Sequence, residues 1–413
     1  MNKTLTFRVL QRVISLPQLF QPTRSTKLYN RTSVETYTGP EYEEYLRQKQ
    51  NPSRRVKNTI KNEKLANFRE ELPPPLEKLK FRKISNETRN LFRKMINNVK
   101  SSSYRENHNV CLLRGKNLIR EAMIAGGFIR TIYFSELKLL EKLPIDIVQK
   151  TNLVHVPIAA MREMSDERTD GLFALATQQD AKTRQKIRTQ RIESVKQKES
   201  TILPVTLICE GIKDPKIMGD ILKVASCVGC EEVYVMDGCV SIWNTSVLKR
   251  GGGAHFKLPI LPNQQWENVE KLVSNSKPDA VFLSHNCEEG LTIIDFKQDP
   301  VVVAINKGSS VLDTLKREST VKLDNKEDRI KNAHIPSINF DQANWPTKQS
   351  VLVVGSISFG AYSFAVNLQE TVEQCHVINL PLSRKTESLS PSIEASVLLF
   401  DALRQIGKNK NLE

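Results

Sequence analysis

From Leu203 onward, short apolar runs alternate with longer stretches of helical periodicity, and this alternation constrains the fold more than any other feature of the chain. Residues 205–209, 232–236, 280–283, 300–305, 351–354 and 376–380 read as strands. Residues 217–228, 265–273 and 392–406 read as helices. Strands separated by helices predict a parallel sheet covered on both faces. Ligands of such sheets bind beyond the carboxyl ends of the strands. The loops to inspect therefore follow Cys209, Val354 and Leu380. Residues 307–349 interrupt the alternation with a charged, turn-rich stretch, read as a surface insertion.

Upstream, 106–180 predicts a second, smaller α/β unit. Leu118, Ile119, Ala122, Met123 and Ala125 share a helix face that Gly126-Gly127 closes, and 131–134, 153–156 and 172–176 read as strands. Between the two units, 181–201 is basic and nearly devoid of apolar residues, which predicts a solvated linker helix able to lie along RNA. Residues 35–105, with Pro73-Pro74-Pro75, read as disordered or loosely helical. Residues 1–34 contain no Asp or Glu but carry Lys3, Arg8, Arg12, Arg24, Lys27 and Arg31, with Leu5, Val9, Leu10, Val13 and Leu16 near one helical face. That pattern reads as a mitochondrial transit peptide, the plain alternative being a basic tail.

The chain of 413 residues has 61 Lys+Arg against 46 Asp+Glu, a formal charge of +15. Setting aside the six cations of the N-terminal segment leaves 15 − 6 = +9. A polyanion is the expected partner, since cationic surface gains affinity by releasing phosphate counterions. No run of 18 apolar residues is present, so no transmembrane helix is expected. The chain lacks the G-x-x-x-x-G-K-[ST] loop of P-loop NTPases and the G-x-G-x-x-G dinucleotide fingerprint. Cys227-Val228-Gly229-Cys230 has no second cysteine pair at zinc-site spacing, so buried small residues are expected there and no metal. Gly251-Gly252-Gly253, after Lys249 and Arg250, reads either as a phosphate approach or as a flexible loop. His255 and His376 form no triad pattern and read as structural or RNA-contacting.

Three segments carry a specific resemblance. They are Asp214-Pro215-Lys216-Ile217-Met218-Gly219-Asp220-Ile221-Leu222-Lys223-Val224-Ala225, running on through 238–260; Val351-Leu352-Val353-Val354-Gly355-Ser356-Ile357-Ser358-Phe359-Gly360; and Leu380-Pro381-Leu382-Ser383-Arg384-Lys385-Thr386-Glu387-Ser388-Leu389-Ser390. In this order and spacing they resemble the three motifs of SpoU/TrmH-type RNA 2′-O-ribose methyltransferases of the SPOUT superfamily. Residues 238–256 look most like the mitochondrial large-subunit rRNA methyltransferase branch. The resemblance covers about 110–177, similar to that family's L30e-like substrate-binding domain, and 203–406.

The resemblance implies a trefoil-knotted methyltransferase domain over 202–408, a homodimer, a mitochondrial-matrix location and S-adenosylmethionine as cofactor. By it, Gly355, Ser356, Gly360, Leu380, Ser388, Leu389 and Ser390 would hold the cofactor. Lys223, at the family's motif-one Arg position, would assist the ribose 2′-hydroxyl. Lys249, Arg250, His255, Arg114 and Lys116 would contact large-subunit rRNA. The chain departs from the family where Ile217 and Ser390 replace Asn, Ile357 replaces Glu, and Glu394 replaces a small residue. Lys223 keeps the charge of Arg but not its planar fork. Two functions stay open on these residues: an active methyltransferase, or a catalytically degenerate rRNA-binding, ribosome-assembly protein on the same scaffold.

Overall fold

A computed structural model describes residues 35–37, 79–164, 169–197, 201–285, 290–296, 299–305, 330, 333–382 and 389–409. They divide into two compact units. One ends at Gln178 and takes in Trp243–Thr245; the other holds the remaining residues from Gln179 on. The segment 1–34 lies outside the described residues.

The first unit comprises β1 (Glu35–Tyr37), β2 (Phe81–Lys83), α1 (Asn86–Lys100), α2 (Ser102–His108), β3 (Val110–Arg114), α3 (Lys116–Ile124), β4 (Ile129–Phe134), α4 (Ile145–Val148), β5 (Asn152–His155), α5 (Ile158–Glu163) and β6 (Leu172–Thr177). Its sheet runs β1-β2-β5-β4-β6-β3. Strands β2, β5 and β4 are parallel, and β6 and β3 add antiparallel. Strand β6 pairs on both sides, which is why five of its six residues are buried. Helix α3 buries the Leu118, Ile119, Ala122, Met123 stripe read from the sequence.

The expectation of disorder over 35–105 fails in its last third. Phe92, Met95, Ile96 and Val99 recur at helical spacing along α1 and pack with Val110, Leu112, Tyr133 and Phe173 in one core. Asn and Lys between them disguised the stripe, because they occupy the solvent face of an amphipathic helix.

The second unit comprises α6 (Ala181–Lys196), β7 (Leu203–Glu210), α7 (Pro215–Val228), β8 (Cys230–Met236), α8 (Thr245–Gly251), β9 (Ile260–Gln264), α9 (Trp266–Ser276), β10 (Ala280–Ser284), β11 (Gly290–Phe296), β12 (Asp299–Ile305), β13 (Ile335–Asn339), β14 (Ser350–Gly355), α10 (Phe359–Leu368), β15 (Gln374–Asn379) and α11 (Pro391–Asn409). The sheet order is β12-β11-β13-β15-β10-β14-β7-β8-β9. From β13 to β9 every neighbouring pair is parallel. Helix α7 begins where Asp214 accepts hydrogen bonds from the Lys216 and Ile217 amides, with Pro215 at its first position, and ends at the left-handed Gly229.

Three expectations are corrected here. Residues 300–305 lie in β12, which joins β11 in an antiparallel hairpin instead of the parallel layer. The described end of 307–349 is no surface insertion: β13 is a parallel strand beside β15, and Ile335, Ala343 and Trp345 are buried, with the Trp345 ring edge-on to Phe282. Residues 307–329 lie outside the described residues. Helix α6 is not simply solvated, since Ile187 is buried and Arg191 donates to the carbonyls of Gly229, Cys230 and Glu231. Arg188 adds an ion pair with Glu232. A guanidinium fork thus serves three consecutive carbonyls where α7 turns into β8.

Candidate cofactor and catalytic site

The carboxyl ends of β7, β14, β10 and β15 lie side by side. In register, Gly355 faces Glu210, Leu283 faces both Val353 and Val377, and Ser284 faces Ile378. All three segments that carry the resemblance begin or end at this edge.

Glu210, which sequence reading missed, organises the edge. The residue is 7% exposed. Oε1 accepts hydrogen bonds from Trp266 Nε1 at 2.8 Å and from the Ser358 hydroxyl, and Oε2 accepts from the Ser358 amide at 3.3 Å. The Glu210 carbonyl accepts from the Ser356 amide at 3.1 Å. One carboxylate thus fixes the 355–358 turn and the start of α10, where Ser358 caps the Gly360 and Ala361 amides. Glycine is required at 355: φ is +115°, and a Cβ would stand 2.0 Å from the Glu210 carbonyl oxygen. The sequence signal for Glu210 was a lone carboxylate ending an otherwise apolar strand just before Gly211.

The other expected cofactor residues divide. Gly355, Ser356 and Leu380 stand at the strand ends, and Leu389 and Ser390 immediately precede α11. The Ser390 carbonyl accepts from the Ile393 and Glu394 amides, so Ser390 opens the helix. Gly360 serves packing, because a Cβ there would lie 2.2 Å from Trp266 Cδ1. Ser388 lies outside the described residues. Ile357 packs against the core that includes Tyr362 and Val353.

Lys223 sits on the exposed face of α7, away from its buried Met218, Ile221, Leu222 and Ala225. Among the described residues no hydrogen bond joins it to 355–358 or 389–390. Arg250, on α8, is exposed and pairs with Asp220 of α7 at 2.6 Å. Lys249 is exposed beside it. In the first unit, the Lys116 amide donates to Asp170 at 2.8 Å. The Arg114 guanidinium lies over the Phe173 ring and reaches the Met164 carbonyl, which makes it a packing residue of that unit.

His255 does not contact RNA from where it lies. It is fully buried, and its Nε2 is 2.9 Å from the Ile242 carbonyl oxygen. The first glycine of the triplet exists for it, since a Cβ at Gly251 would meet the His255 ring at 2.9 Å. The triplet is thus a tight turn over a buried imidazole. Burial pushes the His255 pKa down to about 4, against a partly offsetting hydrogen bond to Ile242. The unfolded chain protonates the same ring near pH 6.5. The native preference for neutral imidazole is therefore intact above that pH and is lost as pH falls towards about 4. At pH 5 this group is expected to lower unfolding free energy by about 2 kcal/mol relative to pH 7. An NMR titration showing the ring neutral down to about pH 5 checks this; titration at the ordinary histidine value would contradict it.

Among the described residues, no group of His, Cys, Asp and Glu could hold a metal ion, and no helix is long and apolar enough to cross a membrane.

Solved RNA methyltransferase structures share this fold. An AdoMet-bound rRNA methyltransferase from Sinorhizobium meliloti superposes with a TM-score of 0.53 at 14% identity, covering 78% of this chain and 98% of that one. An RNA 2′-O ribose methyltransferase gives 0.50 at 18% identity with the same coverages. No protein-family model matches the chain. In sequence it is similar to the mitochondrial rRNA methyltransferase 3 of Homo sapiens, 29% identical over 317 residues, or 75% of this chain and 70% of that protein. The chain thus has the SpoU/TrmH-type methyltransferase fold and resembles the mitochondrial rRNA methyltransferases in sequence.

Proposed function

We propose that this protein transfers a methyl group from S-adenosylmethionine to a ribose 2′-oxygen of mitochondrial large-subunit rRNA, in the mitochondrial matrix. The observation that carries this reading is the preserved loop edge: Gly355, Leu380 and Leu389 at adjacent strand and helix ends, with the 355–358 turn held by Glu210. The edge fits the cofactor's cationic, donor-bearing chemistry. Asn379 Oδ1, beside Leu380, is buried without a hydrogen-bond partner, and Glu210 and Glu394 bring carboxylates to the same edge. Leu380, Leu389 and Gly355 would hold the cofactor by backbone groups, with Ser356, Ser388 and Ser390 completing the cradle. When bound, the cofactor supplies an electrophilic methyl group. The chain's part is to orient it and to assist the 2′-hydroxyl, a poor nucleophile until its proton is removed or its oxyanion stabilised. Lys223 would do the latter.

The exposed Lys249 and Arg250 and the half-buried Lys116 are the cations we assign to rRNA, and the first unit, read as L30e-like, would hold substrate. The 202–408 domain would thread as a trefoil knot. Residues 1–34 would direct import. A homodimer is supported by Ile393, Val397 and Phe400, an i, i+4, i+7 apolar stripe on α11 that is 49%, 36% and 52% exposed. Phe400→Glu is expected to shift the protein from dimer to monomer in sedimentation; an unchanged mass would remove α11 from the interface.

The assembly-factor reading is favoured by one feature. Ile357, in place of the family's Glu, packs half-buried against the core, and its side chain cannot hydrogen-bond. Calorimetry decides between the two: S-adenosylmethionine binding in the micromolar range, about −8 kcal/mol, supports the methyltransferase, and rRNA binding without cofactor binding supports the assembly factor.

A further inference from the structure

We propose that Glu394, oriented by Ser284, is the group that reads cofactor charge, so that the site prefers the cationic sulfonium of S-adenosylmethionine to the neutral thioether of S-adenosylhomocysteine. The inference rests on the methyltransferase reading above and adds a specificity residue to that site.

Ser284 closes β10, the strand between β14 and β15, and is 2% exposed. Its register with Ile378, and that of Leu283 with Val353, set it within two residues of the levels of Gly355 and Leu380. Helix α11 arrives over this strand end, and Glu394 in its first turn accepts a hydrogen bond from Ser284 Oγ at 2.8 Å. The carboxylate is therefore aimed at the edge where the cofactor loops converge.

Among the described residues its environment holds no countercharge. Burial raises the Glu394 carboxyl pKa, and of the described groups the Ser284 hydroxyl opposes that rise. Among the described residues Glu394 has no ion pair. A half-buried carboxylate with one neutral donor is costly unless a cation completes it. The N-terminal turn of α11 offsets part of that cost. A sulfonium, fixed in charge and unable to donate a hydrogen bond, suits a site built from charge instead of donors. After methyl transfer the sulfur is neutral, so the same carboxylate ceases to attract it and favours product exchange.

Both ligands are titrated calorimetrically into the full-length protein and into Glu394→Gln, which keeps an acceptor for Ser284 at nearly equal volume. The substitution is expected to weaken S-adenosylmethionine roughly tenfold while changing S-adenosylhomocysteine by less than about twofold. Ser284→Ala, which frees the carboxylate without removing it, is expected to shift the ratio in the same direction by less. Equal weakening of both ligands, or no change in either, would overturn the proposal. A wild-type protein that binds neither ligand would instead sink the methyltransferase reading itself, and this inference with it.

Discussion

Glu210→Ala is expected to destabilise the second unit by about 3 kcal/mol and to lower its melting temperature by roughly 6–12 °C. The substitution removes an acceptor from Trp266 Nε1 and from both the amide and the hydroxyl of Ser358, leaving donors partly buried without partners. Such orphaned groups cost more than the net worth of the bonds they made. The damage extends beyond stability, because the 355–358 turn loses the carboxylate that shapes it. S-adenosylmethionine affinity should fall at temperatures where the protein is still folded. Glu210→Gln, which keeps one acceptor oxygen, should show a smaller loss of both. Thermal unfolding together with calorimetry checks this, and a Glu210→Ala protein with wild-type melting would show that the turn is held by packing alone.

Lys223→Ala is expected to reduce methyl transfer about 10²–10⁴-fold, the usual yield of a group that handles the nucleophile's proton or charge. Rates are compared on the same rRNA with saturating cofactor. Lys223 lies on the solvent face of α7, so the substitution should leave melting temperature and rRNA affinity close to wild type. Lys223→Arg should retain activity or exceed it, since it restores a fork suited to an oxyanion. An unchanged rate in Lys223→Ala would make this residue one more surface cation.

The parallel sheet was legible from Leu203 onward because its strands are buried on both faces and therefore read as continuous apolar runs. The ends of α7 were legible for a local reason: Asp214-Pro215 and Gly229 are start and stop signals with few other uses. Helix α1 was not, because its four core residues are diluted by Asn, Arg and Lys on the open face. Strand β13 and Trp345 were hidden inside a segment whose charged neighbours dominated its composition. At the site, sequence led to the glycines and missed what makes them necessary. Gly355 is constrained by the Glu210 carbonyl and Gly360 by the Trp266 ring, contacts between positions about 100 residues or more apart. His255 shows the converse error. A histidine beside Lys249 and Arg250 reads as part of a basic patch, yet the turn at Gly251 lets its ring fold inward to Ile242.

Methylation of a ribose 2′-oxygen in mitochondrial rRNA is tested by supplying methyl-labelled S-adenosylmethionine and unmodified large-subunit rRNA to the purified protein and mapping the label. Label at a single 2′-oxygen, strongly reduced in Lys223→Ala, is the predicted result. Tight rRNA binding with no label at any ribose, by a protein that is folded and bound to cofactor, would contradict it.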